Sequence, residues 1–509
     1  MGRAAPHALL RDLKRLSAPS DERGSDLNDR SRDLNDRSNR EVGRARTNRR
    51  GLPLFRAFLR SRFPDLIEEM DPRSHRIGII GGGASGLATA YALRRQGFER
   101  VTVLERGSDV GGKCCTIWHE GRSYELGAAI MTPAYRHTWA LAEQYGIRPK
   151  LCLGAAFVDA ENGRVHANPY VPPGLGLLAA MKLPVQIARV FLSDVARQKR
   201  EFPRLDTSDP ALAEPFEAWC VRHGMGALLE TVRPWATAFG YGYMDEVPAA
   251  YMLNYLCLAG PTYELLDEGY RGLWRRVASD LEVVCNARVT RVERGATVRV
   301  TAEAKTFEFD DVVLACPLES ALEFLDATEE EQRLFRQVRY VDYQVVAAEV
   351  TDMPVWRYAF VPKHFGREAA GKPMFFYRRY PDRDLVTFYS FRGAGGLTGA
   401  QEEAEKFARR LGGHVRAVVT TKNWRYFPHV SSESMRAGFY GKLESLQGAR
   451  HTYYASEVLS FSCVEPVVAY ATDLVRRHFA GELSLRARTS RREARPRPFL
   501  PRTRSRSMA

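Results

Sequence analysis

The 509-residue sequence lacks the cysteine patterns of a structural zinc site or a redox-active dithiol. Its eight cysteines include no CxxC pair, and they lie at positions 114, 115, 152, 220, 257, 285, 316 and 463. The adjacent Cys114 and Cys115 leave two interpretations open, a vicinal disulfide or, the one favoured, two reduced thiols. Unpaired cysteines of this kind are typical of a protein kept in a reducing compartment, so we expect a cytoplasmic protein without a metal site.

Long apolar runs are also missing. Val165–Met181, one of the two longest uncharged stretches, contains His166, Asn168 and three prolines, whereas a membrane-spanning helix needs roughly 20 mostly apolar residues. The first residues lack the apolar segment of a secretory signal. The sequence therefore predicts a soluble protein, and it shows no P-loop and no Ser–His–Asp arrangement.

The net charge of +14 lies almost entirely at the two ends of the chain. Residues 1–70 carry +5 and residues 481–509 carry +7, which leaves +2 for residues 71–480. The central region therefore has no basic surface typical of a nucleic-acid-binding domain. A non-enzymatic alternative stays open, in which the Arg-rich C-terminal tail binds nucleic acid or an anionic membrane surface.

Both tails have the composition of disordered segments. Residues 1–70 contain the hexapeptide DLNDRS twice, at 26–31 and 33–38, and residues 484–509 are rich in Arg, Ser and Pro. Segments with so few apolar residues cannot offset the entropy of folding, so we predict that both are disordered. Met70 directly precedes the first predicted strand, and we treat it as a hypothetical alternative start.

The segment IGIIGGGASGL, residues 77–87, carries the strongest motif. Gly81, Gly83 and Gly86 form a GxGxxG pattern between a predicted strand and a predicted helix that starts at Ala84 and Ser85. Such a turn brings backbone amides and a helix N-terminus to a pyrophosphate. Glu105 ends the second strand 19 residues after Gly86, where a carboxylate can bind the ribose of a dinucleotide.

A second glycine motif distinguishes FAD from NAD, the two common dinucleotide cofactors. Gly111, Gly112 and Lys113 follow soon after Glu105, and Gly127 and Ala128 extend the same surface. A further stretch of closely approaching backbone suits the ribityl and isoalloxazine part of FAD, which NAD lacks. The predicted cofactor is therefore FAD.

These motifs together resemble the flavin amine oxidase superfamily. Four segments, at 112–135, 236–256, 423–448 and 452–461, resemble its polyenoic (linoleic) fatty acid double-bond isomerases, and the resemblance covers roughly residues 75–479. It implies an α/β fold with a doubly wound, Rossmann-like FAD domain, a mixed-sheet substrate domain and a helical cap. It also implies that Arg106, Val289, Glu457 and Val467 belong to the FAD site, where Glu457 follows Ser456 in place of the usual glycine.

The expected domain layout is discontinuous. The FAD domain is predicted to combine residues 75–132, 270–320 and 448–480. Residues 133–269 are predicted to form the helical cap, and residues 321–447 the sheet of the substrate domain.

The expected activity is hydride transfer on an unsaturated, lipid-like substrate. The resemblance implies that flavin N5 removes a hydride from an allylic carbon and returns it to another carbon, with no net redox change. An FAD-dependent oxidase or desaturase that passes electrons to oxygen or another acceptor is the alternative. Neither reaction requires an acid–base pair from the protein, so no catalytic side chain is assigned.

Several aromatic residues are candidates for the lining of a substrate tunnel: Phe239, Tyr241, Tyr243, Tyr263, Trp424, Tyr426 and Phe427. The isomerases carry arginines after the segment that matches Pro149–Leu151, whereas this chain continues with residues 152–157, CLGAAF, which contain no cation. Capture of a carboxylate at that point is therefore not expected. His429 fits a structural histidine better than a catalytic base.

Overall fold

The computed structural model describes residues 72–152, 155–166, 175–192, 205, 209–259, 263–353 and 358–480. The predictions of disorder for residues 1–70 and 484–509 fall outside these ranges. The strands are β1 (Arg76–Ile80), β2 (Arg100–Leu104), β3 (Thr116–His119), β4 (Arg122–Glu125), β5 (Pro149–Cys152), β6 (Ala155–Val158), β7 (Val165–His166), β8 (Tyr263–Leu266), β9 (Glu282–Val284), β10 (Val289–Arg294), β11 (Val298–Ala302), β12 (Lys305–Phe309), β13 (Asp311–Leu314), β14 (Arg339–Thr351), β15 (Tyr358–Phe360), β16 (Phe375–Tyr377), β17 (Leu385–Phe391), β18 (His414–His429) and β19 (Thr452–Tyr454). The α-helices are α1 (Ala84–Arg95), α2 (Arg136–Gln144), α3 (Leu177–Leu192), α4 (Phe216–Arg222), α5 (Gly226–Ala238), α6 (Ala249–Leu258), α7 (Gly269–Ala278), α8 (Leu318–Ala321), α9 (Glu329–Phe335), α10 (Gly396–Arg410), α11 (Ser432–Arg436), α12 (Phe439–Ser445) and α13 (Val464–His478).

A five-stranded parallel sheet, in the order β19-β13-β1-β2-β9, forms the centre of the first layer. Its strands are short apolar runs with side chains buried on both faces, as expected for a parallel sheet covered by helices. Helices α1 and α13 pack against each other beside it. The strands fall within the three segments that the sequence assigned to FAD binding, and the doubly wound fold is confirmed.

A second, seven-stranded mixed sheet has the order β18-β14-β17-β16-β15-β6-β7. Its pairs are antiparallel except for β15 with β6. Because side chains alternate along a strand, Val346 and Phe388 pack beneath α10 in one apolar cluster. Tyr343, Tyr377 and Tyr389 belong to the opposite face and to a different, aromatic cluster.

The segment 133–269 is only partly helical. It contains α2 to α6, as expected, but it also contributes β6 and β7 to the edge of the seven-stranded sheet and β5 to a pair with β8. Ala155–Phe157 pairs with Tyr358–Phe360, some 200 residues later, and so distant a partner leaves no local trace in the sequence. Within the described ranges no helix combines the length and apolar character needed to cross a membrane.

Candidate active site

A cavity of about 1000 Å³ runs from the five-stranded sheet to the aromatic face of the seven-stranded sheet. We call one part the nucleotide end, formed by Gly81, Gly83, Glu105, Arg106 and Val289. We call the other the aromatic end, defined by these side chains: Phe239, Tyr343, Tyr358, Phe375, Tyr377, Tyr389 and Trp424. Both lie at the boundary between the sheets, where α/β enzymes commonly hold a cofactor beside its substrate.

The glycine turn of β1 and α1 forms the floor of the nucleotide end. Gly81 has φ +113°, in the region that glycine tolerates, and its amide donates to the Leu104 carbonyl at 2.9 Å. A Cβ on Gly86 would lie 1.9 Å from the Gly81 carbonyl oxygen, so only glycine allows α1 to pack this closely on the turn. Gly86 therefore lies behind the cavity wall, whereas Gly83, Ala84 and Ser85 line it at the start of α1.

Glu105 is held in a fixed orientation at the end of β2. Its Oε2 accepts a hydrogen bond from the Gly82 amide and its Oε1 accepts one from the Gly107 amide, each at 2.7 Å. A carboxylate oxygen has two lone pairs, so each oxygen can accept another hydrogen bond from a ribose hydroxyl. The structure thus places Glu105 where the sequence predicted a ribose ligand.

A charged pair lies along the middle of the cavity. Lys113 Nζ is 2.6 Å from Glu457 Oε2, and the ammonium lies 5.4 Å from the centre of the Tyr426 ring. Gly111, Gly112, Gly127, Ala128 and Val467 line the same stretch. A Cβ on Gly127 would lie 1.9 Å from the Lys113 carbonyl oxygen, so the second glycine motif closes the backbone tightly here.

The start of α13 leaves a buried polar atom without a partner. The Ser462 hydroxyl lies in the cavity wall, is 2% exposed and forms no hydrogen bond with the described residues. It precedes the first turn of α13, where free backbone amides carry partial positive charge. An unsatisfied hydroxyl beside a helix N-terminus fits a cofactor that presents polar ring atoms, as the pyrimidine edge of a flavin does. The sequence did not single out Ser462.

Most of the aromatic end comes from residues that the sequence assigned to no site. Tyr343, Tyr358, Phe375, Tyr377 and Tyr389 project from four neighbouring strands. Their alternation along predicted strands was a readable signal, but which face would meet the cofactor depended on the packing of the two sheets. Of the predicted substrate residues, Phe239, Tyr241, Trp424 and Tyr426 line the cavity.

Two predicted substrate residues lie elsewhere. Phe427 has φ +48°, where the pairing of β14 with β18 shifts register. It lies outside the cavity lining and is fully buried against Tyr251. Tyr243 packs against Phe391 and beneath the Arg367 guanidinium, away from the cavity wall. Neither residue lines the cavity, and their roles stay predictions. The side chain of Tyr263 lies outside the described part of the structure.

The cavity contains a cation that the sequence did not identify. Lys422 lies on β18, is exposed, and holds its ammonium 5.1 Å from the centre of the Trp424 ring. No carboxylate among the described residues forms an ion pair with it, whereas its neighbour Arg425 pairs with Glu319 at 3.0 Å. A positive charge is thus available next to Trp424, although residues 152–157 carry none.

Burial raises the pKa of several thiols and phenols that line the cavity. Burial raises the pKa of Cys316 to about 12, and it also raises the pKa of Cys114 and Cys463. Burial likewise raises the pKa of Tyr343 and Tyr426. Cys114 and Cys115 are both free thiols. The groups with a raised pKa therefore supply neither a thiolate nucleophile nor a phenolate base.

His429 is a structural residue. Its ring stacks on Phe427, its Nδ1 lies 2.8 Å from the Phe427 carbonyl oxygen, and burial lowers its pKa. It does not belong to the cavity wall. The aromatic end therefore contains no histidine to act as a base.

Comparison with known proteins agrees with this site. Among solved structures, a CLA-producing fatty acid isomerase from P. acnes superposes with a TM-score of 0.72 at 29% identity, covering 81% of this chain and all of that one. Wild-type putrescine oxidase superposes with a TM-score of 0.63 at 16% identity, over 80% of this chain and 99% of its own, which shows the shared fold.

Sequence relatives point the same way. An uncharacterised protein, R656, of Acanthamoeba polyphaga mimivirus is 25% identical over 74% of this chain and 88% of its own length. The putative flavin-containing monoamine oxidase AofH of Mycobacterium tuberculosis is 28% identical over 47% of this chain and 56% of its own. Residues 84–406 match the family of flavin-containing amine oxidoreductases. The cofactor is FAD, and the chain belongs to the flavin-containing amine oxidoreductase family.

Proposed function

We propose that this flavoenzyme shifts a double bond in a polyunsaturated fatty acid. The observation that carries the proposal is the aromatic end: its wall is built from tyrosine, phenylalanine and tryptophan rings and, among the described residues, includes no histidine. Such a surface binds an unsaturated chain and excludes water. It leaves the chemistry to the cofactor.

Bound FAD supplies the hydride acceptor and donor. The protein contributes position and protection: Glu105, the glycine turns and the Lys113–Glu457 pair hold the cofactor, while the aromatic end aligns the chain beside it. Trp424 is fixed for this task because its indole nitrogen donates to the Leu126 carbonyl at 2.6 Å. In an isomerisation one C–H bond breaks and another forms, so the substrate loses no electrons overall.

The positive charge of Lys422 at the cavity favours a carboxylic acid over an amine as the substrate. Lys422 is the cation nearest to Trp424 for which the described residues provide no ion pair, and it would attract a carboxylate and repel an ammonium. The family relationship keeps amine or lipid oxidation as the second candidate. The 29% identity with a fatty acid isomerase over its whole length supports the lipid substrate.

The test uses the purified holoenzyme under anaerobic conditions with linoleic acid and with its methyl ester. We expect conjugated-diene absorbance to grow without consumption of an electron acceptor. Lys422→Met should raise KM about five-fold for the acid, the effect of losing one partly exposed charge contact, and leave KM for the ester unchanged. Substrate-dependent peroxide formation in air, without diene formation, would reject isomerisation in favour of the oxidase.

A further inference from the structure

Helix α3 carries an exposed apolar face that the cofactor site does not use. Its side chains are largely open to solvent: Leu177 78%, Leu178 76%, Met181 67%, Val185 63% and Leu192 85%. At about 100° per residue these five positions fall within one sector of about 100°. They form a continuous stripe, which we call the α3 face.

The helix is firmly attached through its opposite side. The Gln186 side chain, 6% exposed, donates to the Gly224 carbonyl at 2.9 Å and accepts from the Leu228 amide at 2.8 Å. Val190 is buried, and Leu183 packs against the main core. The helix α3 therefore has apolar residues on two sides. One side packs against the protein core, and the other, the α3 face, is exposed although the helix is held in place.

Basic residues border the stripe. Lys182 and Arg189 are exposed and follow the same helical edge, at about 140° and 120° on the scale that sets Leu177 to zero. No aspartate or glutamate occurs between residues 175 and 192. An apolar stripe flanked by cations and free of acids is complementary to a membrane surface with anionic lipids, which takes up apolar side chains and attracts positive charge.

The helix suits a position in the plane of such a surface. With 16 residues it is too short to span a bilayer, but an amphipathic helix of this length can lie at the boundary between headgroups and acyl chains. Val221, also 70% exposed, lies on α4 two residues before His223, whose carbonyl accepts a hydrogen bond from Arg189. Exposed apolar area thus continues beside the α3 face.

We propose that the α3 face docks the enzyme on the surface of membranes that contain anionic lipids. The α3 helix packs against α5, and the residue after α5, Phe239, lines the cavity. Docking would therefore hold the cavity-bearing body at a surface rich in apolar molecules. The inference rests on exposure and charge alone and is independent of the reaction proposed above.

The test is co-sedimentation of the full-length holoenzyme with phosphatidylcholine vesicles, with and without phosphatidylserine. We expect the double variant Leu178→Glu with Val185→Glu to weaken binding at least about ten-fold. The acidic side chains would replace apolar side chains that the membrane takes up in the docked state. Lys182→Gln and Arg189→Gln should each cost roughly five-fold, only on the anionic vesicles. Val418→Glu, at an exposed valine of β18, is the matched control and should bind like the wild type.

The positive charge of residues 1–70 and 481–509 also attracts anionic lipids. The measurement is therefore repeated at high salt, which screens charges but not apolar insertion. An environment-sensitive fluorescent amino acid replaces Val185 or, as control, Val418. A blue shift on adding vesicles at position 185 alone supports docking. Binding that the double glutamate variant leaves unchanged would overturn the proposal, as would a shift at 185 that depends on protein concentration without vesicles, because a second copy would then cover the face.

Discussion

The two ends of the cavity are built by different means. The nucleotide end is built mainly from the turns that follow β1 and β2, with Val289 of β10 beside them. The aromatic end consists of side chains from the four consecutive strands β14 to β17, together with Phe239 from the end of α5 and Trp424 from β18. A single substitution at the nucleotide end should therefore strongly weaken FAD binding. Replacing one ring at the aromatic end should have a smaller effect on substrate binding, because many rings share the contact. Substitutions should separate the two.

The largest effect is expected from Gly86→Ala at the nucleotide end. The added Cβ would lie 1.9 Å from the Gly81 carbonyl oxygen, and that backbone cannot move without opening the turn. We expect the purified protein to contain no FAD, as measured by flavin absorbance. Gly226→Ala, where a Cβ meets no atom within 4 Å, should retain full flavin content.

Arg294 and Glu331 form a buried ion pair outside both ends of the cavity. Its loss should affect the stability of the fold but not the binding of cofactor or substrate. Burial tends to raise the pKa of Glu331, but hydrogen bonds from Arg294 and Tyr454 outweigh it and lower the pKa from 4.5 to about 2. Since the folded value lies below the unfolded one, the stabilisation is present above about pH 4.5 and is lost as pH falls toward 2.

Glu331→Gln should therefore lower the free energy of unfolding by about 3 kcal/mol at neutral pH. The deficit should shrink in acid, as followed by urea unfolding at several pH values. Flavin content and KM should stay at wild-type levels. A variant that loses FAD would show that this pair belongs to the site after all.

At the nucleotide end, Glu105→Gln should weaken FAD binding by about 30-fold. The amide keeps the shape of the carboxylate but loses charge-assisted hydrogen bonds, which contribute about 2 kcal/mol to affinity. Titration of the apoprotein with FAD, followed by flavin fluorescence, measures the change. If affinity is unaltered, the ribose does not bind at Glu105.

At the aromatic end, Trp424→Phe should have the smallest effect. It removes the hydrogen bond to the Leu126 carbonyl and part of one ring, at a cost of about 1 kcal/mol, or roughly five-fold in KM. FAD content should be unchanged. An equal loss of flavin in this variant would contradict the separation of the two ends.

The difference between the two ends also explains why the sequence predicted the residues of the nucleotide end better than those of the aromatic end. Gly81, Gly83, Glu105 and Lys113 belong to local motifs whose spacing sets their geometry, and each of them lines the cavity. Tyr426 lines the cavity and Phe427 does not, and the sequence did not reveal which of these two neighbours would face it. Nothing in the sequence marked Lys422 as a residue of the site, because an isolated lysine in a strand is common.

The sequence by itself determined the FAD fold, because strand, glycine turn, helix and acid act over short stretches of chain. Tertiary structure alone decided which face of the seven-stranded sheet meets the cofactor, that β6 joins the edge of that sheet, and that α3 keeps an apolar face in solvent. Such features arise from contacts between residues that are distant in sequence, 38 positions for Gln186 with Gly224 and about 200 for β6 with β15. Local patterns record the periodicity of a helix or strand, but they do not record what packs against it.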